Sequence, residues 1–169
     1  MKYRHVLVPL DGSQLSEAAL DYAVDLVPPD GLITLMKVIE SATVTEREIY
    51  TSPPSSVVMT AVTGVTMMPG AVRQTGTRLA WDNAEHYINR LADRLRRSGL
   101  TVQTHLEEGK PADCILDAAR QLKIDAIVMS THGRSGISRW VFGSVAQKVV
   151  TTAECPIVLI PQRIVHADK

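Results

Sequence analysis

The sequence predicts a doubly wound α/β domain, a five-stranded and mainly parallel sheet with four helices over its faces. Two observations lead there. Short apolar, β-rich runs alternate along the chain with longer segments of helical spacing. Such alternation implies right-handed crossovers, which put helices on both sides of a parallel sheet. A chain of 169 residues, 45% hydrophobic and 21% charged, is large and apolar enough to bury one core without disulfides or a structural metal.

The elements follow in order. Val6-Leu7-Val8-Pro9-Leu10 is a nearly continuous apolar run, as expected of a strand covered on both faces, and it stops at Asp11-Gly12-Ser13. Leu15, Ala18, Ala19, Tyr22, Ala23 and Leu26 then recur at helical spacing until Pro28-Pro29. Leu32 to Ile39 is a second β-rich run. From Ser41 to Thr77 the chain is rich in Ser, Thr, Pro and Gly without sustained periodicity, and reads as a loop or insertion in which Met67-Met68 favours packing. A second helix is expected from Arg78, where Trp81, Ala84, Ile88, Leu91, Ala92 and Leu95 step by three and four until Ser98-Gly99. That stripe reads as packing, with His86 exposed. Leu100 to Leu106 alternates as a strand, and Pro111 opens a helix carrying Ala112, Ile115, Leu116, Ala119 and Leu122. Asp125 to Ser130 is a fourth strand. Past the loop from Thr131 to Gly143, Ser144 is placed to cap a fourth helix through Val145, Val149 and Val150, before a last strand, Pro156 to Ile160.

Charge and cysteine content exclude several classes. Eighteen basic residues oppose eighteen acidic ones, so no basic excess exists to neutralise a nucleic-acid backbone or an anionic membrane. Cys114 and Cys155 lack metal-ligand spacing and a neighbouring redox partner, which suits a reducing compartment. Val6 to Val8 is too brief for a signal-peptide core or a membrane span, so the expected location is cytoplasmic. The sequence contains no G-x4-G-K-[ST] phosphate loop, no G-x-G-x2-G after the first strand and no G-x-S-x-G elbow. Kinase-like and dinucleotide readings therefore fall away, rapid hydrolysis is not expected, and no catalytic residue is nominated.

In a sheet of this class, ligands bind beyond the carboxyl ends of the strands where strand order reverses. Two loops there look specialised: Pro9-Leu10-Asp11-Gly12-Ser13, and Ser130-Thr131-His132-Gly133-Arg134-Ser135-Gly136. If strands one and four are neighbours, the two loops face each other. Gly133, Gly136 and Gly143 admit close backbone approach to a ligand, and exposed amides at a helix start suit phosphate oxygens. The same glycines also serve ordinary turns.

The spacing Ser130-x2-Gly133-x9-Gly143-Ser144 resembles the G-x2-G-x9-G-[ST] pattern of nucleotide-binding universal stress proteins. The resemblance extends over nearly the whole chain, through Val8-Pro9-Leu10-Asp11-Gly12-Ser13, Ile127-Val128-Met129, Gly143-Ser144-Val145-Ala146 and Cys155-Pro156-Ile157-Val158-Leu159-Ile160-Pro161. One departure stands out: Ser130 occupies the first glycine position. A left-handed backbone there would strain a serine, whereas a need for smallness alone would leave its hydroxyl to bond a ribose.

The resemblance implies strand order 3-2-1-4-5, an adenine nucleotide alpha hydrolase-like domain over residues 1–162 with a loop insertion at about 41–77, and a C-terminal tail at 163–169. It implies that Asp11 and Val38 frame an adenosine, with Pro9, Leu10 and Met129 nearby. Phosphates would lie over Gly133 and Gly143, with Ser144 and Val145 at the helix start and Ser130, His132 and Arg134 beside them. The implied ligand is ATP, or ADP or AMP, accompanied by Mg2+. Each position has a plainer reading too. Asp11 before Gly-Ser suits a cap or turn, Val38 suits core, and His132 and Arg134 suit a solvated loop.

A sensor or regulator of the stress response, forming a homodimer through Ile157, Val158, Leu159 and Ile160, is the function so implied. Alternatives are a dimeric interaction module of the same family without nucleotide, a slow nucleotide hydrolase or adenylyl-transfer enzyme, and a phospho-receiver domain. The last should carry an acidic cluster after strand one and a lysine after strand five, where this chain has only Asp11 and Pro161-Gln162.

Overall fold

A computed structural model describes residues 3–40, 69–131 and 142–161, with side chains along the second helix described from Arg78. Among these residues nine elements alternate: β1 (His5–Pro9), α1 (Gln14–Leu26), β2 (Leu32–Ile39), α2 (Pro69–Arg97), β3 (Thr101–Glu108), α3 (Pro111–Gln121), β4 (Ala126–Ser130), α4 (Ser144–Thr152) and β5 (Ile157–Ile160). The strands form one parallel sheet of order β3-β2-β1-β4-β5, as expected.

Because successive strand residues point to opposite faces, each inner strand feeds two cores. Val6, Val8, Ile33, Leu35 and Val128 pack against Ala19, Leu20 and Ala23 of α1 and Ile88, Leu91 and Leu95 of α2. Leu7, Met36, Ile127 and Met129 pack on the other face against Ile115 and Leu116 of α3 and Ala146 and Val149 of α4. This two-sided burial explains why β1 and β4 read as unbroken apolar runs. Strand order turns at β1, where β2 lies on one side and β4 on the other.

Some expectations need correction. The second helix begins at Pro69, so residues 69–77 continue the helix expected only from Arg78. A proline at a helix start needs no amide hydrogen bond, and no further proline follows until Pro111; weak helix formers such as Thr75, Gly76 and Thr77 hide the periodicity. The fourth helix is capped by Gly143 (φ −58°, ψ 151°) with no side-chain cap bond, and Ser144 is its first helical residue. Ser144 is already in helical geometry, one position too late for its hydroxyl to act as the cap.

Gly99 ends the α2 turn at φ +87°, the left-handed geometry that glycine adopts freely. Strand β3 runs two residues past the expected Leu106, since Glu107 and Glu108 pair with Val38 and Ile39 of β2. Residues 41–68 of the expected insertion, including Met67-Met68, and 163–169 of the expected tail lie outside the described residues.

Candidate site at the carboxyl edge of β1 and β4

The loop leaving β1 is tightly constructed. Asp11 Oδ1 accepts from the Ser13 amide at 2.9 Å and from the Ser13 hydroxyl at 2.7 Å, closing an Asx turn. Gly12 supplies the left-handed residue at φ +97°. Ser13 is the N-cap of α1 and accepts from the Ser16 amide at 3.1 Å, while the Ser16 hydroxyl donates back to the Ser13 carbonyl at 2.9 Å. Asp11 therefore holds the turn, and Ser13 rather than Asp11 does the capping.

A residue of β2 completes the loop. Lys37 Nζ donates to the Asp11 main-chain carbonyl at 2.8 Å. Burial raises the pKa of the half-buried Asp11 carboxyl, but the Ser13 and Ser16 bonds and the Lys37 charge outweigh it and hold it below the ordinary carboxylate value. Lys37 was not among the residues nominated from the sequence. A charged residue inside the apolar run Leu32–Ile39, in a strand with neighbours on both sides, is the signal that could have found it.

On the neighbouring strand, β4 ends at Ser130, and the Thr131 amide donates to the Ile160 carbonyl at 3.1 Å. Ser130 is 7% exposed and is absent from the residues of positive φ, so serine causes no backbone strain here. Its burial fits smallness, not left-handed geometry, as the demand at that position. The Gly143 amide donates to the Thr131 carbonyl at 2.9 Å, closing the segment between β4 and α4. The first helical bond of α4 runs from the Gln147 amide to the Gly143 carbonyl at 2.9 Å. The amides of Ser144, Val145 and Ala146 thus precede the helical ladder, at the positive end of a helix with no acidic side chain in its first turn. That is the chemistry of an anion cradle.

The remaining nominated residues divide. Pro9 and Asp11 are half-buried at the end of β1, and Val38 is half-buried at the end of β2. Leu10 and Met129 are buried in opposite cores, so their side chains serve packing. Val38 packs against the same core as Met129. Gly143 and Val145 are half-buried and Ser144 is exposed. His132, Gly133 and Arg134 lie outside the described residues, as does Gly136. A groove of about 560 Å3 lies elsewhere, between α1 and the end of α2, lined by Glu17, Asp21, Arg94 and Leu95; no nominated residue lines it. Among the described residues no group of three His, Cys, Asp or Glu gathers as for a metal, and no helix is long and apolar enough to cross a membrane.

Strand order and the uncapped start of α4 together define a doubly wound α/β protein with a candidate anion site at its switch point. Comparison with known proteins refines this: the model of the universal stress protein family matches residues 2–161, and the chain belongs to that family. Universal stress protein YxiE of Bacillus subtilis is 27% identical, over 94% of this chain and 99% of that protein. Among solved structures, universal stress protein UspA from Lactobacillus plantarum superposes with a TM-score of 0.67 at 23% identity, covering 95% of this chain and 99% of the other. A universal stress protein in complex with cAMP matches at 0.56 and 20% identity, covering 95% and 98%. The family protein At3g01520 of Arabidopsis thaliana, with AMP bound, matches at 0.56 and 17% identity, covering 98% and 94%.

Proposed function

We propose that this chain binds an adenine nucleotide in the crevice between the β1–α1 loop and the start of α4, and acts as a nucleotide-responsive sensor or regulator in the stress response. The observation that carries the reading is the start of α4, where the Ser144, Val145 and Ala146 amides precede the helical ladder without a side-chain cap. A phosphate there gains the amide bonds and the helix dipole, the latter worth about 0.3–1 kcal/mol. The family members in complex with cAMP and with AMP support adenine as the base.

In this reading Asp11 and Val38 flank the adenosine and Pro9 borders it. Leu10, Met129 and Ser130 shape the floor by packing, while Gly133, Gly143, Ser144 and Val145 surround the phosphates with His132 and Arg134 beside them. The Gly143 amide is already engaged by Thr131, so Gly143 contributes closeness of approach rather than a donor. The ligand is ATP, ADP or AMP; Mg2+, where a polyphosphate is bound, is held chiefly by phosphate oxygens and water. The protein works in the cytoplasm, away from nucleic acid and membrane.

The edge position of β5, with Ile157, Val158 and Leu159 only partly buried, supports self-association through Ile157–Ile160. Sedimentation should give a dimer, and a concentration-independent monomer would remove this part of the reading. The nucleotide reading itself is tested by mass spectrometry of nucleotide released from the purified protein, with Gly133→Val as control. Release of an adenine nucleotide from the parent and loss from the variant is the expected outcome. Equal, negligible release from both favours the nucleotide-free dimeric module.

A further inference from the structure

We infer that Lys37 is the positioning residue of this site: by holding the Asp11 carbonyl it sets the β1–α1 loop, and so presents the Asp11 side of the crevice to a nucleotide. The inference rests on the reading of the crevice as a nucleotide site. Its geometric basis is the 2.8 Å bond from Lys37 Nζ to the Asp11 oxygen, which joins two neighbouring strand ends.

Among the described residues, the loop it holds has few other tethers to the sheet. Asp11, Ser13 and Ser16 bond among themselves, which shapes the turn but does not fix where the turn sits over β2. The Leu10 amide bonds the Met36 carbonyl at 2.8 Å, the last main-chain tie before the turn. Lys37 comes next along β2 and carries that attachment one residue further, from side chain to main chain. Along β2, Ile33 and Leu35 feed the α1/α2 core, and Lys37 follows them on that face with its stem half-buried. A lysine stem packed this way brings the ammonium to the Asp11 carbonyl.

Among the described residues, three elements bring ionisable groups towards Asp11: Lys37 from β2, Tyr87 from α2, and Glu17 of α1, which faces Tyr87. Lys37 supplies the positive charge among them and favours the ionised Asp11 carboxylate. One side chain therefore holds the loop and, beside the larger contributions of the Ser13 and Ser16 bonds, favours the charge that Asp11 presents to a ligand.

The test compares Lys37→Met, which keeps the stem and removes the charge and donor, with Lys37→Arg, which restores both. AMP is the probe in calorimetry, and the Asp11 carboxyl is followed by carbon NMR against pH. Lys37→Met should weaken AMP binding by up to about tenfold, because binding must then re-order the loop that the Lys37 bond holds in the free protein, and Lys37→Arg should recover most of it. The Asp11 titration should move upward in Lys37→Met and return in Lys37→Arg. AMP affinity of Lys37→Met within about twofold of the parent, or equal impairment of both variants, overturns the inference. If the parent chain itself binds no AMP, the nucleotide reading fails separately. The loop is then judged on the free protein, where Asp11 titration and Gly12 and Ser13 amide shifts unaltered by Lys37→Met overturn the inference, and altered ones sustain it.

Discussion

The amide of Gly143 donates to the carbonyl of Thr131 at 2.9 Å, joining the end of β4 to the start of α4. The helix start is thereby fixed against the sheet edge, and the donors left for an anion are those of the next three residues. Ser144 heads that set. A proline there keeps the helix, because the first helical position tolerates proline and Gly143 already has the extended backbone that a following proline prefers. It removes both the amide and the hydroxyl. Ser144→Pro is therefore expected to melt within a few degrees of the parent, a change of about 1 kcal/mol or less, and to bind AMP roughly tenfold more weakly. Calorimetry beside thermal denaturation checks the split; equal loss of both would mean that Ser144 is merely structural.

Acid should weaken the β1–α1 turn. The Asp11 pKa is lowered in the folded protein, so the stability its carboxylate contributes is complete above its ordinary value of 3.8 and is lost as pH falls through the folded value. The Asp11→Asn variant should be less stable than the parent near neutral pH, with the gap closing as pH drops below 3.8. Urea midpoints measured across that range decide it, and a gap that widens in acid would contradict the assignment.

Tyr87 makes the opposite point about buried polar groups. Its hydroxyl is shielded from solvent and has no hydrogen-bond partner of good geometry among the described residues, although Glu17 and Ser16 lie close. Burial, reinforced by the Glu17 charge, pushes its pKa far up, so it stays protonated. An unsatisfied buried hydroxyl costs about 1–3 kcal/mol. Tyr87→Phe should accordingly leave stability unchanged or raise it by up to about 1 kcal/mol, read as a higher urea midpoint. A clear loss would reveal a bond to Glu17 or Ser16 in solution.

Much of this fold was legible in the chain because two-sided burial leaves a plain pattern: β2 spans Leu32–Ile39 as its residues suggest, and α1 and α3 end where their apolar spacing ends. Boundaries failed where local signals are weak. The start of α2 lies among Thr and Gly residues, and Glu107-Glu108 look unlike strand although edge β3 pairs through them. Both loops of the candidate site were visible from glycine spacing and from their place after strands. Their internal chemistry was not. Nothing in Asp11-Gly12-Ser13 says which oxygen caps α1, and nothing near Ser144 says that Gly143 takes the cap position. Lys37 stayed hidden because its partner is 26 residues away, and only the pairing of β1 with β2 brings the two together.

The central claim is that the crevice beside Asp11 and the start of α4 takes an adenine nucleotide. Calorimetric titration of the purified, nucleotide-free chain with AMP and with ATP tests it most directly. One nucleotide bound per chain, with affinity about tenfold weaker in Ser144→Pro while the fold persists, is the result expected. A parent protein that is folded and takes up neither nucleotide would contradict it.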